Sequence, residues 1–494
     1  MSEIINSQRG NIVKAGPEPN VVGSSGLARV TGHAMLVAAV AAIGGFLFGF
    51  DTAVINGAVN SIQSVYHVGN VVLGLAVSSA LIGSAVGALG AGWLADRYGR
   101  IAVMVVAATL FLVQSFGAGF AATIVDLSVW RFIGGIAVGA ASVIAPAYIA
   151  ESSPAQLRGR LGSFQQLAIV LGIFVAALSD FVIAAVAGGA NQPWLFGIPA
   201  WRWMFIVEAI PALVYLIGAL RIPESPRYLV AHGLMAEARR VLAAIVGEAG
   251  AARRAAEIRR TVSTEHKSRY RDLRGKFGLL PIVWIGIGLS VLQQFVGINV
   301  IFYYSSVLWQ AVGFTQQQSL TITVITNLTN VVTTLVAIAS IDRFGRKPLL
   351  LIGSVGMFVT LAAMAIVFGT APVMAGKPVL TGLAAPLALV AANAYVFFFG
   401  MSWGPAVWVL LGEIFPNRIR AAALGLAAAM QWIANFAISA TFPSLASVGL
   451  FYAYGIYAIA ALVSFFFVVR LIRETRGREL ESISEQQESL PVAS

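Results

Sequence analysis

The chain has 494 residues, of which 58% are hydrophobic and only 11% are charged, and its mean hydropathy is +0.84. Soluble globular chains are about one quarter charged, so this composition excludes a soluble protein of this size. The absence of cysteine excludes disulfides, thiolate metal sites and cysteine nucleophiles. The four histidines (His33, His67, His232, His266) show no metal-ligand spacing, and we expect neither a metal nor a cofactor.

Apolar runs long enough to cross a bilayer recur along the whole chain. The first 30 residues lack the short apolar core of a cleavable signal peptide, so the first run is expected to remain as a membrane anchor. The pattern predicts an all-α membrane protein with twelve transmembrane helices. The spans are expected near 33–57, 70–94, 101–122, 128–150, 161–187, 200–220, 278–309, 318–341, 348–370, 384–412, 421–442 and 449–470.

The positive charge is distributed unevenly between the loops. A net charge of +11 is also found in nucleic-acid-binding proteins, but its placement here argues against a nucleic-acid partner. If the N-terminus is cytosolic, 29 of the 32 lysines and arginines lie on the inner side, and the exceptions are Arg131, Arg202 and Lys377. This positive-inside pattern predicts a multi-pass protein of the cytoplasmic membrane with both termini in the cytosol.

The chain divides into two groups of six spans. Within the polar segment between them, the stretch from Leu234 to Arg260 has apolar residues at helical spacing, which predicts one or two amphipathic helices on the cytosolic face. An unstructured linker is the alternative. The expected domains are a tail (1–32), a first six-helix bundle (33–220), the linker (221–276), a second six-helix bundle (277–470) and a second tail (471–494).

Matching charged turns indicate an internal repeat. An Asp-Arg-x-Gly-Arg turn follows span two at 96–100 and span eight at 342–346. Span four ends at Glu151 and span ten at Glu413, and each glutamate is followed by two arginines. Two halves with matching turns on one side of the membrane predict a duplicated six-helix unit.

Span seven carries the densest polar cluster. Gln293, Gln294, Asn299 and Tyr303 lie inside an apolar run, where polar side chains normally face a bundle interior or a water-filled cavity. Gly297 is expected to let the helix break and turn these groups toward one ligand. Amides and phenols suit a neutral ligand rich in hydroxyl groups, whereas pairing with neighbouring helices is the alternative role.

Asp51 is a lone carboxylate inside span one. A charge in that position is costly unless it is protonated or paired, and Arg131 at the start of span four is the candidate partner. The two readings that remain open are a proton-binding site and a permanent structural ion pair.

With these motifs in place, the chain resembles the sugar porter family of the major facilitator superfamily, from Gly44 to Gly477. Two places depart from the family pattern: Ile101 stands where the family usually has a basic residue, and Arg473 stands where the closing motif has proline. The resemblance rests on residues 45–55, both Asp-Arg-x-Gly-Arg turns, 131–135, 145–151, 158–159, 223–229, 293–304 and 403–408.

The resemblance implies roles for particular residues. Asp51 would take up the proton and Arg131 would adjust the proton affinity of Asp51, as in proton-coupled members of the family. Ile173 replaces a polar residue of some pentose carriers, which weakens the expectation of a pentose substrate. Sugar contacts would come from Gln166 in span five, Gln293, Gln294, Asn299 and Tyr303 in span seven, Asn330 in span eight, Trp408 in span ten, and Gln431 and Trp432 in span eleven.

The resemblance also implies a charged network on the cytosolic side. Glutamates at the ends of spans four and ten would hold the two halves together when the cavity opens outward, although these charges also fit a purely topogenic role. The expected groups are Glu151 with Arg97 and Arg158, and Glu413 with Arg346 and Arg420.

We therefore expect a secondary transporter that imports a monosaccharide by alternating access, with a hexose as first choice, proton symport and a monomer as the functional unit. An uncoupled facilitator is the nearest alternative. A non-transporting sugar sensor would be expected to carry a long cytosolic tail, whereas the tail after Arg470 has about two dozen residues. A membrane enzyme would need a catalytic constellation, and the sequence contains none that we recognise.

Overall fold

The computed structural model describes residues 24–152, 158–264, 270–275, 278–374, 377–416 and 419–474. Both predicted tails lie mostly outside this part. The described α-helices are α1 (Ser24–Tyr66), α2 (Asn70–Tyr98), α3 (Arg100–Gly119), α4 (Ile124–Ser152), α5 (Arg158–Ala187), α6 (Ala200–Ile206), α7 (Ala209–Ala219), α8 (Pro226–Ala231), α9 (Met235–Val246), α10 (Glu248–Thr264), α11 (Pro281–Phe295), α12 (Ile298–Ala311), α13 (Gln316–Phe344), α14 (Arg346–Gly369), α15 (Ala384–Met401), α16 (Trp403–Ile414), α17 (Arg420–Val448) and α18 (Leu450–Leu471).

The remaining regular structure is short and lies between helices. One-turn 3₁₀-helices occur at Leu195–Gly197 and Tyr270–Leu273. Two antiparallel hairpins pair β1 (Arg274–Gly275) with β2 (Gly278–Leu279) and β3 (Val373–Met374) with β4 (Lys377–Pro378).

The prediction of an all-α chain with twelve spans is confirmed. Twelve helical segments of the described chain are long and apolar enough to cross a membrane. Three spans consist of two helices each, namely α6 with α7, α11 with α12, and α15 with α16. Of these breaks the sequence analysis predicted only the one at Gly297. The other two occur at Glu208 and Ser402, each three residues before a proline.

Close helix packing builds the first half. α2 packs along α4, and α1 along α5. A Cβ atom at Gly83 would meet the carbonyl oxygen of Phe132, and one at Gly135 would meet that of Ala80. These glycines let two backbones approach, which is how membrane helices gain contact area without a hydrophobic driving force.

The two halves meet along three helix pairs: α1 with α12, α2 with α17, and α5 with α13. We call the side at which α2 ends and α3 begins the charged face, and the other side the opposite face. Toward the opposite face, the Ala190 amide donates to the side chain of Gln316 at 3.3 Å, and Gly74 lies against the carbonyl of Ala440. The halves are therefore held together at the opposite face.

Three helices of the linker cover the charged face. α8 begins at Ser225, whose hydroxyl accepts from the Arg227 amide at 3.2 Å. α9 and α10 pack through Leu242 and Ala255. The sequence predicted one or two amphipathic helices between Leu234 and Arg260, and the structure has two.

Candidate functional site

The break in span seven positions the amide cluster. Gly297 has φ +83°, and a Cβ atom there would lie 2.6 Å from the Tyr457 ring, so both the turn and the close approach require glycine. The carbonyl of Val296, freed by the break, accepts from the Tyr395 hydroxyl at 2.7 Å. Span seven is thereby a discontinuous helix, the feature that lines binding sites in many carriers.

Three amides form a chain across this break. Gln293 donates to the Trp403 carbonyl at 2.7 Å, Gln294 donates to Gln293 at 3.4 Å, and Asn299 donates to Gln294. This row of hydrogen-bonded amides joins the break in span seven to the one in span ten. A ligand hydroxyl can replace any of these weak amide–amide contacts, because an amide both donates and accepts.

A second polar cluster links three helices from both halves. Asn435 on α17 donates to the Tyr303 hydroxyl on α12 at 3.3 Å, and Ser439 donates to Asn435 at 3.0 Å. Thr52 on α1 lies close to the Tyr303 hydroxyl. The sequence analysis missed Asn435, although it follows Gln431 by four residues and so shares its helix face.

An aromatic contact crosses between the halves. The Phe48 and Trp432 rings lie 5.4 Å apart with their planes at 54°. Beside it, the Gln431 side-chain oxygen is buried and has no hydrogen-bond partner in the described chain. An unpaired acceptor next to an aromatic contact suits a ligand with both hydroxyl and C–H surfaces.

The other expected sugar contacts are less closely joined. Gln166 is half-buried, whereas its neighbour Gln165 is buried against Gly45 and has no partner for either amide atom in the described chain. Asn330 is buried near Gly400. Trp408 is 38% exposed, so it is not enclosed by neighbouring helices in this state.

The buried ion pair was anticipated from its charges. Arg131 donates to the Asp51 carboxylate at 2.7 Å and to the Asp51 carbonyl at 3.0 Å. Only 1% of Asp51 and 2% of Arg131 is exposed. Extra hydrogen bonds of this kind are what make a buried ion pair tolerable.

A second carboxylate, that of Glu208 in span six, belongs to the same cluster. The Gln114 amide nitrogen donates to Asp51 at 3.1 Å and to Glu208 at 2.7 Å. Both Gln114 and Glu208 are fully buried. Arg202, at the start of the same span, does not pair with Glu208; it donates to the carbonyls of Gly119 and Ala121.

The charged face contains one clasp in each half. Glu151 binds Arg100 through both oxygens at 3.0 Å, and Arg346 donates to Glu413 at 2.8 Å. The pairing of Glu151 with Arg97 is corrected by the structure, since the Arg97 guanidinium lies over the rings of Trp93 and Tyr98 in its own helix. Arg420 donates to the Phe415 carbonyl at 3.1 Å, and the side chain of Arg158 lies outside the described part.

Each clasp is accompanied by a glutamate at a helix N-terminus. Glu224 accepts from the amides of Arg100 and Ile101 at 3.0 and 3.1 Å, and Glu474 accepts from those of Arg346 and Lys347 at 3.1 and 3.0 Å. Carboxylates favour this position because it offers unpaired N–H groups and a positive dipole end. The replacement of proline by arginine before Glu474 therefore leaves this contact intact.

These features define a membrane transport protein: two six-helix halves, broken helices at the centre and a buried charge cluster in one half. The sequence matches the family described as Sugar (and other) transporter over residues 37–486. The chain belongs to this family of transporters and is not an enzyme.

Named relatives and solved structures agree with this assignment. The glucose transport protein of Synechocystis is 61% identical over 452 residues, covering 91% of this chain and 96% of the relative. The D-xylose-proton symporter of Escherichia coli K12 is 38% identical, covering 90% and 94%. Among solved structures, the proton:xylose symporter XylE bound to 6-bromo-6-deoxy-D-glucose has a TM-score of 0.77 at 36% identity, covering 92% of this chain and 99% of that one. A partially occluded inward-open form of XylE gives 0.78 at 35% identity, covering 91% and 100%.

Proposed function

We propose that this protein imports a monosaccharide across the cytoplasmic membrane together with a proton, by alternating access between its two halves. The single observation that carries the proposal is the position of Asp51. Its carboxylate is paired with Arg131, while the next residue, Thr52, lies close to the Tyr303 hydroxyl of the other half. When Asp51 gains or loses its charge, the change therefore occurs next to a contact between the two halves.

The polar groups in span seven and span eleven support a sugar as the substrate. Gln293, Gln294, Asn299 and Gln431 offer amide donors and acceptors, and Trp432 offers an aromatic face. Sugars present hydroxyl groups at the edge of the ring and C–H groups on its faces, which matches this combination. The division into lobes 33–220 and 277–470 would place these residues and Asp51 on different lobes.

The relatives support a hexose as the sugar. A glucose transport protein at 61% identity supports a hexose more strongly than a xylose symporter at 38% does. Gln166, Asn330 and Trp408 complete the proposed sugar site. Trp408 is exposed here, and we propose that it closes over the sugar when the halves change position.

The charges support one orientation. We propose that the charged face is cytosolic, with both termini on that side, because the outer loops are almost free of lysine and arginine. The halves are joined at the opposite face by Asn56 and Ser306, so this conformation is closed to the outside. We propose that Asp51 is ionised in this paired arrangement, which then corresponds to the state after the proton has left toward the cytosol. We propose a monomer as the functional unit.

The clasps on the charged face fit the same cycle. The Arg100–Glu151 and Arg346–Glu413 pairs each join helices of one half. We propose that the outward-open state brings the two clasps together and that they stabilise the inner closure as a network. Single exposed pairs contribute only about 0–1 kcal/mol, so the network rather than any one pair would bias the equilibrium.

A competition assay tests the substrate and the coupling together. Proteoliposomes containing the purified protein take up labelled glucose under an inward proton gradient, with unlabelled glucose, galactose, xylose and inositol as competitors. The proposal expects glucose to compete best and a protonophore to abolish accumulation. Accumulation that is indifferent to the protonophore would point to another driving ion, whereas uptake that stops at equal concentrations inside and outside would favour an uncoupled facilitator. Absence of saturable uptake of any of these sugars would contradict a sugar carrier.

A further inference from the structure

Asp180, in the part of α5 near the opposite face, is a buried acid that the proposed cycle does not use. Only 1% of the residue is exposed. Its Oδ2 accepts from the backbone amide of Gly57 at 3.1 Å, whereas its Oδ1 is buried and has no partner in the described chain. A Cβ atom at Gly57 would lie 2.7 Å from Oδ2, so the glycine makes room for this carboxyl group.

No cation compensates this acid within the described residues. The helices that pack against α5 are α1, α4, α6 and α13. Asp51 and Arg131 bind each other, and Arg202 donates to backbone carbonyls, so both arginines are engaged elsewhere. Among the side chains that the structure describes, the ionisable ones on these helices are Asp51 and Tyr66 on α1, Asp126, Arg131, Tyr148 and Glu151 on α4, Arg202 on α6, and Arg343 on α13. None of them forms a hydrogen bond or an ion pair with Asp180.

A lone carboxylate in this position is strongly disfavoured. An unpaired charge inside the hydrocarbon region costs several kcal/mol or more, and a single amide hydrogen bond does not offset this cost. The neutral carboxylic acid leaves only one O–H group without a partner, which is far cheaper. The closed conformation therefore favours a proton on Asp180.

The acid lies directly behind the contacts that close the opposite face. Gly57 follows Asn56, which is bonded to Phe302 and Ser306 of α12. Farther toward the opposite face, the segment after α5 is bonded to α13 through Ala190 and Gln316. When α12 and α13 move away, water gains access to the Asp180–Gly57 contact, and the charged form of the acid becomes tolerable.

We propose that Asp180 is a second proton-binding site, occupied while the opposite face is closed and emptied into the medium on that side when it opens. The proton comes from external water, binds a carboxylate oxygen and returns to the same side. It is therefore not transported and does not alter the number of protons carried per sugar. The site makes opening toward the outside less favourable as the external pH falls.

An accessibility measurement tests this site without using any sugar, so its outcome is independent of the proposed transport function. Because the chain has no cysteine, Val59→Cys introduces a single thiol three residues after Asn56 on α1, where Val59 is fully buried. The rate of labelling by a membrane-impermeant maleimide is compared between this parent and its Asp180→Asn derivative, from mildly acidic to mildly alkaline external pH. The ratio at each pH cancels the intrinsic pH dependence of the thiol.

The proposal expects the parent to react about fivefold faster than the Asp180→Asn derivative at alkaline pH, with the ratio approaching one at acidic pH. Asn mimics the neutral acid in shape, and Asp180→Ser gives the same expectation should the first variant fail to reach the membrane. Asp126→Asn, which changes a partly exposed acid near the same face, should leave the parent profile unchanged. A ratio that is constant across the pH range would assign Asp180 a purely structural role and overturn the proposal.

Discussion

Ser306 donates two hydrogen bonds to Asn56 across the two halves of the molecule. The Ser306 amide donates to the Asn56 side chain at 2.9 Å, and the Ser306 hydroxyl donates to the Asn56 carbonyl at 2.6 Å. The Asn56 side chain also donates to the Phe302 carbonyl at 2.9 Å. This pair therefore stabilises the conformation that is closed at the opposite face.

Asn56→Ala should weaken that closed state. The substitution removes two side-chain hydrogen bonds and leaves buried groups unpaired, at a cost of roughly 2–3 kcal/mol. Such a change shifts the ratio of closed to open molecules by about 30–150-fold, and we expect at least a tenfold loss of sugar uptake. Initial rates of labelled-glucose uptake measure it.

Two variants serve as comparisons for this prediction. Ser306→Ala removes only one hydrogen bond and should cost about 1 kcal/mol. Asn60→Ala changes a half-buried amide one turn farther along α1 and should be nearly neutral. Equal losses in all three variants would mean that uptake reports general destabilisation of α1 rather than this contact.

Gln114 should couple the two buried acids. Gln114→Leu removes the amide that donates to both Asp51 and Glu208, and we expect about a tenfold fall in proton-driven accumulation. If the amide acts through Glu208, adding Glu208→Gln to Gln114→Leu should cause little further loss. Accumulation ratios of the two single variants and the double variant measure this coupling. Fully additive losses would show that the two residues act independently.

Gly297→Ala should disrupt the break in span seven. A left-handed conformation costs a non-glycine residue about 1–2 kcal/mol, and the new methyl group would also press on the Tyr457 ring. We expect a lower Tm in detergent and loss of uptake. Gly412→Ala is the matched control, because that helical glycine has open space around it. A Gly297→Ala protein with unchanged Tm and uptake would contradict the need for this turn.

The two helix-capping glutamates should contribute equally. Glu224→Ala and Glu474→Ala each remove a carboxylate from a helix N-terminus, at an expected cost of about 1 kcal/mol. Tm measured at low and high salt should fall similarly for both variants, since the two sites share their geometry. A much smaller effect of Glu474→Ala would show that Arg473, in the place of proline, weakens the second cap.

The sequence predicts the elements of this fold well where a local signal exists. Hydrophobic runs marked all twelve spans, and Gly297 marked a break because only glycine adopts that conformation cheaply. The breaks at Glu208 and Ser402 each come three residues before a proline, Pro211 and Pro405. A proline has no N–H to bond the carbonyl four residues earlier, so these breaks also have a local signal, which the sequence analysis did not use.

Pairings between side chains are harder to predict than spans. Asp51 and Arg131 were matched because each is an isolated charge inside a span. Gln114 gave no signal of its role, because an uncharged amide in an apolar run has many candidate partners. Glu151 was assigned to Arg97, but the helix turn at Gly99 brings Arg100 to it instead.

The most direct test of proton-coupled transport compares accumulation with exchange in Asp51→Asn. The wild type and the variant are each reconstituted into proteoliposomes. In one assay, the concentrations of labelled glucose inside and outside are measured under an inward proton gradient. In the other, the exchange of labelled external glucose for unlabelled internal glucose is measured. We expect the wild type to concentrate the sugar, and the variant to exchange it without concentrating it. If Asp51→Asn still concentrates glucose to the level of the wild type, then the proton is not coupled through Asp51 and the account is contradicted.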